Sequence, residues 1–338
     1  MAATGISQID DLLAAPAPAP LGPTNSDPAS VALLQDLLIG HGFTHLPGVS
    51  GTARGTFGPQ TTAAISAFQT AHDLAASGVV DVRTFKALID APAAMPICSR
   101  GYLTLVLDIL FTGMVRVMTV TTQFEGGGRF KAANLNTDGA GLSYGLIQWA
   151  QRPGRLKELL VACQASQPRL FVEVFGDGEA AVSQGLIAHT ARAQGGLTHA
   201  GETIDRNFDL VREPWTRRFE AAALRREFQR VQVDTALAAF AHSLARVRLF
   251  VPQLCSERAI GFLLDVANQH GDGGLKSIVE KVSTPGCSER DLLVAVEEES
   301  VARVRAKFGD GPELRSTQTR RHAFRTSLLL SDDALAVA

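Results

Sequence analysis

Apolar residues recur at helical spacing in three short segments near the start of the chain. Val31–Ile39, Thr61–Ala71 and Val82–Ile89 each place apolar side chains three or four positions apart, which predicts one amphipathic helix for each segment. Gly40 is suited to end the first helix, and Pro59 is tolerated in the first turn of the second. Three helices of this kind can bury one small core.

The apolar pattern changes in the larger part of the chain. Leu103–Thr122 has nearly continuous apolar positions, which predicts one helix buried on most sides. This run leads to Glu125 and then to the glycines of Gly126–Gly128. After a stretch rich in Asn, Asp and Gly, which favour turns, Leu142–Trp149 has strand character. We therefore expect a mainly helical protein with a little β-structure.

Alanine and proline mark the limits of the predicted domains. An Ala/Pro-rich leader, expected to be flexible, covers residues 1–26, and a second such stretch at 91–100 is predicted to be a linker. These segments bound a small helical domain at 27–90 and a large domain at 101–330, which a tail at 331–338 follows. A chain of 338 residues is long enough for this arrangement.

Composition and charge narrow the function classes. Apolar residues make up 46% and charged residues 20% of the chain, which is ordinary for a globular protein. A formal net charge of −2 argues against a nucleic-acid partner. No apolar run reaches the length that crosses a bilayer, so no membrane span is predicted. The sequence leaves the oligomeric state open.

The cysteines are widely separated and show no C-x-x-C spacing. A zinc site is therefore not expected, and the sequence predicts no metal and no cofactor. Disulfides and buried free thiols both fit the spacing. The apolar, helix-compatible surroundings of Cys163 and Cys255 favour thiols.

Glu125 is the first candidate for chemistry. It closes the predicted buried helix and is followed by three glycines. The C-terminus of a helix carries partial negative charge, and burial also disfavours a charged carboxyl. Both effects favour the protonated form of Glu125, which is the form that a general acid for glycosidic cleavage needs.

Asp138 is the second candidate carboxylate. It lies in a polar, turn-rich loop, which would keep its side chain in contact with water and ionised. Enzymes that hydrolyse sugar bonds use one carboxyl group shielded from water and a second in contact with it. The first protonates the leaving oxygen, and the second orients a water molecule or stabilises the developing cation. The alternative is that Asp138 only forms a turn by bonding its own backbone.

The small domain resembles the peptidoglycan-binding domain found on many wall hydrolases. The resemblance covers nearly all of the domain and implies a three-helix module that binds peptidoglycan. Phe57, Thr61 and Phe68 are expected to belong to its core. The motifs that carry the resemblance are Leu34-Gln35, Phe57-Gly58-Pro59-Gln60-Thr61, Phe68-Gln69 and Gly78-Val79-Val80.

The large domain resembles the lysozyme superfamily and is most similar to its chitosanase branch. A Glu that closes a helix, a Gly-rich turn and then Ser143-Tyr-Gly-Leu-Ile-Gln148 carry this resemblance, together with helical segments at 228–234 and 264–271. It implies a lysozyme-like α+β domain with a small β-hairpin beside the cleft. It also implies Glu125 as general acid and, less directly, Asp138 as second carboxylate.

Six further residues are predicted to contact substrate, each with a structural alternative. Ser143 and Tyr144 could instead face the core from a strand, Gln148 could hold the hairpin, and Trp149 could be a core aromatic. The remaining two could instead cap a helix before the glycines that follow them. They are Asn268 and His270.

These features predict an enzyme that cleaves the glycosidic bonds of peptidoglycan, as a muramidase does. The alternatives are cleavage of chitosan, lytic cleavage of peptidoglycan by the substrate's own hydroxyl, and a wall-binding protein without catalysis. Retention of both Glu125 and Asp138 in a Gly-rich setting argues against the last. The expected place of action is the cell wall, in the periplasm or outside the cell. No signal peptide is recognisable at the start, so release by phage lysis or a dedicated secretion system is expected.

Overall fold

The computed structural model describes residues 4–48, 53–135, 141–151, 154–190, 209–251 and 254–335. In these ranges the protein is mainly helical with one small antiparallel sheet, which confirms the predicted fold class. The helices are α1 (Ser7–Ala14), α2 (Pro28–Gly40), α3 (Pro59–Ala71), α4 (Val82–Asp90), α5 (Gly113–Gly126), α6 (Arg155–Ser166), α7 (Pro168–Gly176), α8 (Ala180–His189), α9 (Trp215–Ala223), α10 (Arg226–Phe250), α11 (Glu257–Val282), α12 (Glu289–Phe308) and α13 (Pro312–Thr326). The strands are β1 (Ala133–Leu135), β2 (Leu142–Tyr144) and β3 (Trp149–Ala150).

The chain divides into two compact units. The first comprises Met1–Phe111 and Glu125–Val233, and the second comprises Thr112–Phe124 and Asp234–Ala338. Among the described residues, no helix combines the length and apolarity that a membrane crossing requires. The predicted domain limits at residues 27, 90 and 101 do not coincide with this division and stay predictions.

The three predicted helices of the small domain are confirmed as α2, α3 and α4. Asp27 caps α2 by accepting from the N–H groups of Ala29 and Ser30, and Asp81 caps α4 by accepting from Thr84 N–H. Their apolar faces form one buried core. That core contains the three residues predicted for it, namely Phe57, Thr61 and Phe68.

Two buried glutamines account for the Leu-Gln and Phe-Gln motifs. Gln35 accepts a hydrogen bond from Gly55 N at 2.9 Å and donates to Thr56 O at 3.2 Å. Gln69 accepts from Gly78 N at 3.0 Å and donates to Val79 O at 2.8 Å. Because both side chains satisfy loop backbone that no helix or strand pairs, the motif glutamines hold loops in the core.

The segment before the small domain differs from the flexible leader that its Ala/Pro composition predicted. Residues Ser7–Ala14 form α1, and Ile9 and Leu12 are buried in the core of α2–α4. Leu21 pairs with Val80 in an antiparallel bridge. The apolar residues between the alanines and prolines supply the burial that orders this segment.

The predicted linker also makes specific contacts. Met95 N–H donates to Gly40 O at 2.7 Å, and Ile97 pairs with Arg129 in an antiparallel bridge. Cys98 is buried and its N–H donates to Gly128 O at 2.6 Å. Backbone pairing therefore connects this segment to residues on both of its sides in sequence.

The single helix predicted over Leu103–Thr122 is wrong. A π-helical turn spans Tyr102–Val106, and α5 begins only at Gly113. Between them, Asp108 has a φ of 52° in the left-handed region and Leu110 is 81% exposed. A left-handed residue cannot continue a right-handed helix, so the apolar run is split although its composition is nearly uniform.

The predicted strand over Leu142–Trp149 is two strands and a turn. In the sheet order β1-β2-β3, Ser143 lies opposite Asn134 on one side and Ala150 on the other. Gly145 begins the turn with a φ of 77°, and a Cβ there would lie 2.5 Å from Gln232 Oε1. Only glycine fits this backbone and this close approach.

None of the four cysteines forms a disulfide, and all four lie in the described ranges. Cys98 and Cys163 are buried, as the thiol interpretation expected for Cys163. Cys255 is exposed and precedes α11, so the expectation of an apolar helical site for it is wrong. Burial raises the pKa of the Cys163 thiol to about 12, which keeps it protonated and unreactive.

We predict that Gln69→Ala will loosen the loop after α3. The change leaves the buried Gly78 N–H without its acceptor, which costs about 1–3 kcal/mol. Val79 O loses one of its two donors and keeps the Ser77 hydroxyl. Hydrogen exchange at Gly78 N–H in the full-length protein should accelerate at least tenfold. Gln60→Ala, at the exposed start of α3, is the matched control, and equal exchange rates in both variants would contradict the assignment.

Candidate active site

Glu125 is the penultimate residue of α5, in the last turn of the helix as the sequence predicted. It is half-buried rather than buried, and its role as general acid stays a prediction. Gly127 and Gly128 follow with φ values of 64° and 69°. A Cβ on Gly126 would lie 2.4 Å from the Cβ of Ala132. The three glycines therefore let the chain turn back immediately after the carboxylate, against residues that lead into β1.

The turn after Glu125 is held by backbone hydrogen bonds. Cys98 N–H donates to Gly128 O, and Phe130 N–H donates to Pro96 O at 3.3 Å. Phe130 is fully buried, and its carbonyl accepts from the Nε2 of Gln232 at 3.0 Å. These bonds fix the position at which the segment leaves α5.

Gln232 joins this turn to the hairpin. Its Oε1 accepts from Leu146 N–H at 3.2 Å while its Nε2 donates to Phe130 O. The side chain is 0% exposed. One buried amide on α10 thus satisfies backbone from both the Glu125 turn and the β2–β3 turn.

A groove of about 420 Å³ lies beside these turns within the first unit. We call it the hairpin groove. Gly126, the neighbour of Glu125 in the chain, forms part of its wall. The other lining residues lie between 129 and 135, at Leu142 and Tyr144, and on α9 at Thr216, Phe219 and Glu220.

The walls of the hairpin groove differ in charge. Arg129 is exposed and Lys131 half-buried on the wall that follows Glu125, while Glu220 is exposed on the α9 wall. The sequence did not point to Glu220, because a Glu among many arginines on a helix is typical of a solvated face. Only the packing of α9 against the sheet brings it to the groove.

Ser143 and Tyr144 are both buried in β2. The Tyr144 hydroxyl donates to Phe219 O at 2.7 Å, which ties the sheet to α9. Burial raises the pKa of Tyr144, so its phenol stays a neutral donor. Their contact with substrate stays a prediction, and the bond to Phe219 gives Tyr144 a structural role in addition.

Gln148 and Trp149 lie at the β2–β3 turn. Gln148 is half-buried with a φ of 51°, and its Nε2 donates to Ala132 O at 3.2 Å and Gly145 O at 3.1 Å. A Cβ on Gly126 would lie 3.4 Å from this nitrogen, so Gln148 is next to the end of α5. Trp149 is 1% exposed. Substrate contact by either residue stays a prediction.

Asp138 lies outside the described residues, between β1 and β2 in the chain. Its role as the second carboxylate stays a prediction. In the part of the chain that the structure describes, no group of three or more His, Cys, Asp or Glu side chains is arranged to bind a metal ion.

Asn268 and His270 belong to the second unit. They lie on α11 directly before Gly271, where a φ of 72° kinks the helix, and both are half-buried. His270 lines a groove of about 580 Å³ together with Arg303 and Lys307. Its Nε2 is buried without a hydrogen-bond partner in the described ranges. Contact of either residue with substrate stays a prediction.

Comparison with known proteins assigns the small domain. Residues 27–88 match the model of the peptidoglycan binding domain family, which confirms the resemblance carried by the Leu-Gln, Phe-Gly-Pro and Phe-Gln motifs. The chain has a peptidoglycan-binding domain. No curated protein matches the chain.

The solved structures to which the chain is similar include one that matches its larger part. It is the native chitosanase from Bacillus subtilis MY002, at 14% identity and a TM-score of 0.44, covering 64% of this chain and 89% of that one.

We predict that the stability of the protein depends on pH through His270. Burial, followed by the nearby Arg321 and Arg303, lowers the pKa of His270 from 6.5 to about 4. As the pH falls through 6.5, the His270 imidazole is therefore protonated in the unfolded chain while it stays neutral in the folded chain. The stability lost through His270 should be zero above pH 6.5, grow as the pH falls towards 4 and stay constant below it.

The check is the urea midpoint of unfolding at pH 7.5 and pH 5 for wild type and His270→Gln. The variant should lose part of the difference between the two midpoints. His322→Gln, at an exposed position on α13, controls for the loss of a histidine elsewhere. If the midpoints of His270→Gln at pH 7.5 and pH 5 differ by as much as those of wild type, the prediction is contradicted.

Proposed function

We propose that this protein is a cell-wall hydrolase that cleaves glycosidic bonds in the glycan strands of peptidoglycan, with Glu125 as general acid. The observation that carries the proposal is the combination of a peptidoglycan-binding domain with a carboxylate at the end of a helix beside a groove. The binding domain indicates which polymer is the substrate, and the carboxyl group is the proposed proton donor.

The position of Glu125 supports the acid role. Glu125 is on the last turn of α5 and is half-buried. Gly126, the next residue in the chain, lines the hairpin groove, so the groove reaches the end of the helix. Protonation of the glycosidic oxygen by such a group makes the leaving sugar neutral as the bond breaks.

The second carboxylate has two candidates. Asp138 is proposed from the sequence, as the acid that orients a water or stabilises the developing cation. Glu220 is proposed from the groove, since it is the carboxylate on the α9 wall. Direct attack by a hydroxyl of the substrate would require neither, and the reaction would then be lytic.

The binding domain would act by tethering. Holding the chain on the wall through residues 27–88 raises the local concentration of glycan strands at the groove. The proposed place of action is therefore the cell wall. A tether of this kind affects the rate on insoluble wall far more than the rate on short soluble fragments.

We predict that Glu125→Gln will abolish turnover without loss of binding. The amide keeps the shape of the side chain but has no proton to give, so the release of new chain ends from purified peptidoglycan should fall at least about a hundredfold. Co-sedimentation with the wall should stay at the wild-type level. Glu158→Gln, exposed on α6, is the control, and normal turnover in Glu125→Gln would refute the assignment.

The second carboxylate is tested by Asp138→Asn and Glu220→Gln, with products read by mass spectrometry. Loss of activity in only one of the two identifies the partner of Glu125. Products with reducing ends indicate hydrolysis, and anhydro-sugar ends indicate lytic cleavage. Activity on chitosan without activity on peptidoglycan would overturn the proposed substrate.

A further inference from the structure

The hairpin groove carries an excess of positive charge. Among the described lining residues, Arg129 and Lys131 lie on one wall and the carboxylate of Glu220 lies on the other. Neither cation forms an ion pair with any described residue. This distinguishes them from Arg225, which pairs with Glu173 at 2.7 Å.

The backbone that carries the two cations is anchored by the residue between them. Phe130 is fully buried, whereas Arg129 is exposed and Lys131 half-buried. Both backbone groups of Phe130 are paired, its N–H with Pro96 O and its carbonyl with Gln232 Nε2. Because the backbone of Phe130 is fixed, the side chains of Arg129 and Lys131 both start from fixed points on the groove wall.

Such charges discriminate between amino-sugar polymers. Chitosan carries an ammonium group on its sugars, which two groove cations would repel. Peptidoglycan carries carboxylates, either on the lactyl ether of alternate sugars or on the attached peptides, which the same cations would attract. Each partly exposed pair contributes little alone, so the selection depends on both cations acting together.

We propose that Arg129 and Lys131 form a subsite that recognises a carboxylate of the glycan substrate and thereby selects peptidoglycan over neutral or cationic amino-sugar polymers. This inference rests on the proposed function. It assigns to the two cations a role in substrate selection, separate from the proton donated by Glu125.

The test compares substrates that differ only in charge. Peptide-free glycan strands and intact peptidoglycan are each prepared with free carboxylates and with the carboxylates converted to amides. For each pair, the ratio of kcat/KM on the free form to that on the amide form is measured with full-length wild type, with Arg129→Gln/Lys131→Gln and with a control variant. The binding domain is the same in all proteins, so its contribution cancels in a comparison of ratios.

Wild type should prefer the carboxylate form by roughly fivefold at low salt, and less at high salt. The double variant should bring the ratio close to one, while Lys157→Gln/Arg169→Gln, which removes the same charges outside the groove, should retain it. A preference on peptide-free strands identifies the sugar carboxylate as the ligand. A preference confined to intact peptidoglycan identifies the peptide carboxylates.

Equal rates on both forms for wild type, or an unchanged ratio in the double variant, would overturn the subsite. If no bond is cut in any substrate, the proposed function fails. The same ratios are then measured as equilibrium binding constants, and a carboxylate preference lost in the double variant would still support the subsite.

Discussion

The candidate site depends on one buried amide. Gln232 donates to Phe130 O, in the segment that follows α5, and accepts from Leu146 N–H, in the β2–β3 turn. Neither backbone group belongs to a helix or a strand ladder, and the amide is 0% exposed. Since a buried polar group without a partner costs about 1–3 kcal/mol, both loops are held where Gln232 can reach them. The close approach of Gly145 to the same side chain shows how little space the arrangement leaves.

Because these loops are fixed, Glu125, the hairpin groove and the cations Arg129 and Lys131 lie close together in one part of the first unit. Glu125 lies in the last turn of α5, the three glycines after it turn the chain, and Phe130 anchors the turn between Arg129 and Lys131. Tyr144 ties the sheet to α9, which brings Glu220 to the opposite wall. The same principle operates in the peptidoglycan-binding domain, where Gln35 and Gln69 hold loops by pairing their backbone. In both places, buried glutamine side chains provide the hydrogen bonds to backbone groups that helices and strands provide elsewhere.

Much of the fold was predictable because helical periodicity is a local property. The three helices of the small domain and the place where α5 ends follow from apolar spacing, proline and glycine. Two predictions failed for reasons that are not local. The run after Leu103 is divided by one left-handed residue, Asp108, and the Ala/Pro segment is ordered because Ile9 and Leu12 reach the core of α2–α4. Neither the left-handed backbone of Asp108 nor the packing of Ile9 and Leu12 can be predicted from composition.

The candidate site was predictable only in part. Glu125 could be found because helix, acid and glycines are adjacent in sequence. Glu220 could not, since it meets the groove through the packing of α9, and Gln232 gave no signal beyond its place in a helical segment. Tyr144 and Trp149, predicted as substrate contacts, are each 1% exposed, a property that depends on neighbours remote in sequence.

The most direct test of this account is the turnover of peptidoglycan by Gln232→Leu, whose side chain has similar volume but no polar atoms. We expect turnover at saturating peptidoglycan to fall at least tenfold, because both loops beside Glu125 lose their common partner. Co-sedimentation with the wall through residues 27–88 should be retained, as should the activity of Gln164→Leu, a change at a half-buried glutamine on α6. Wild-type turnover in folded Gln232→Leu would contradict the claim that this amide positions the site.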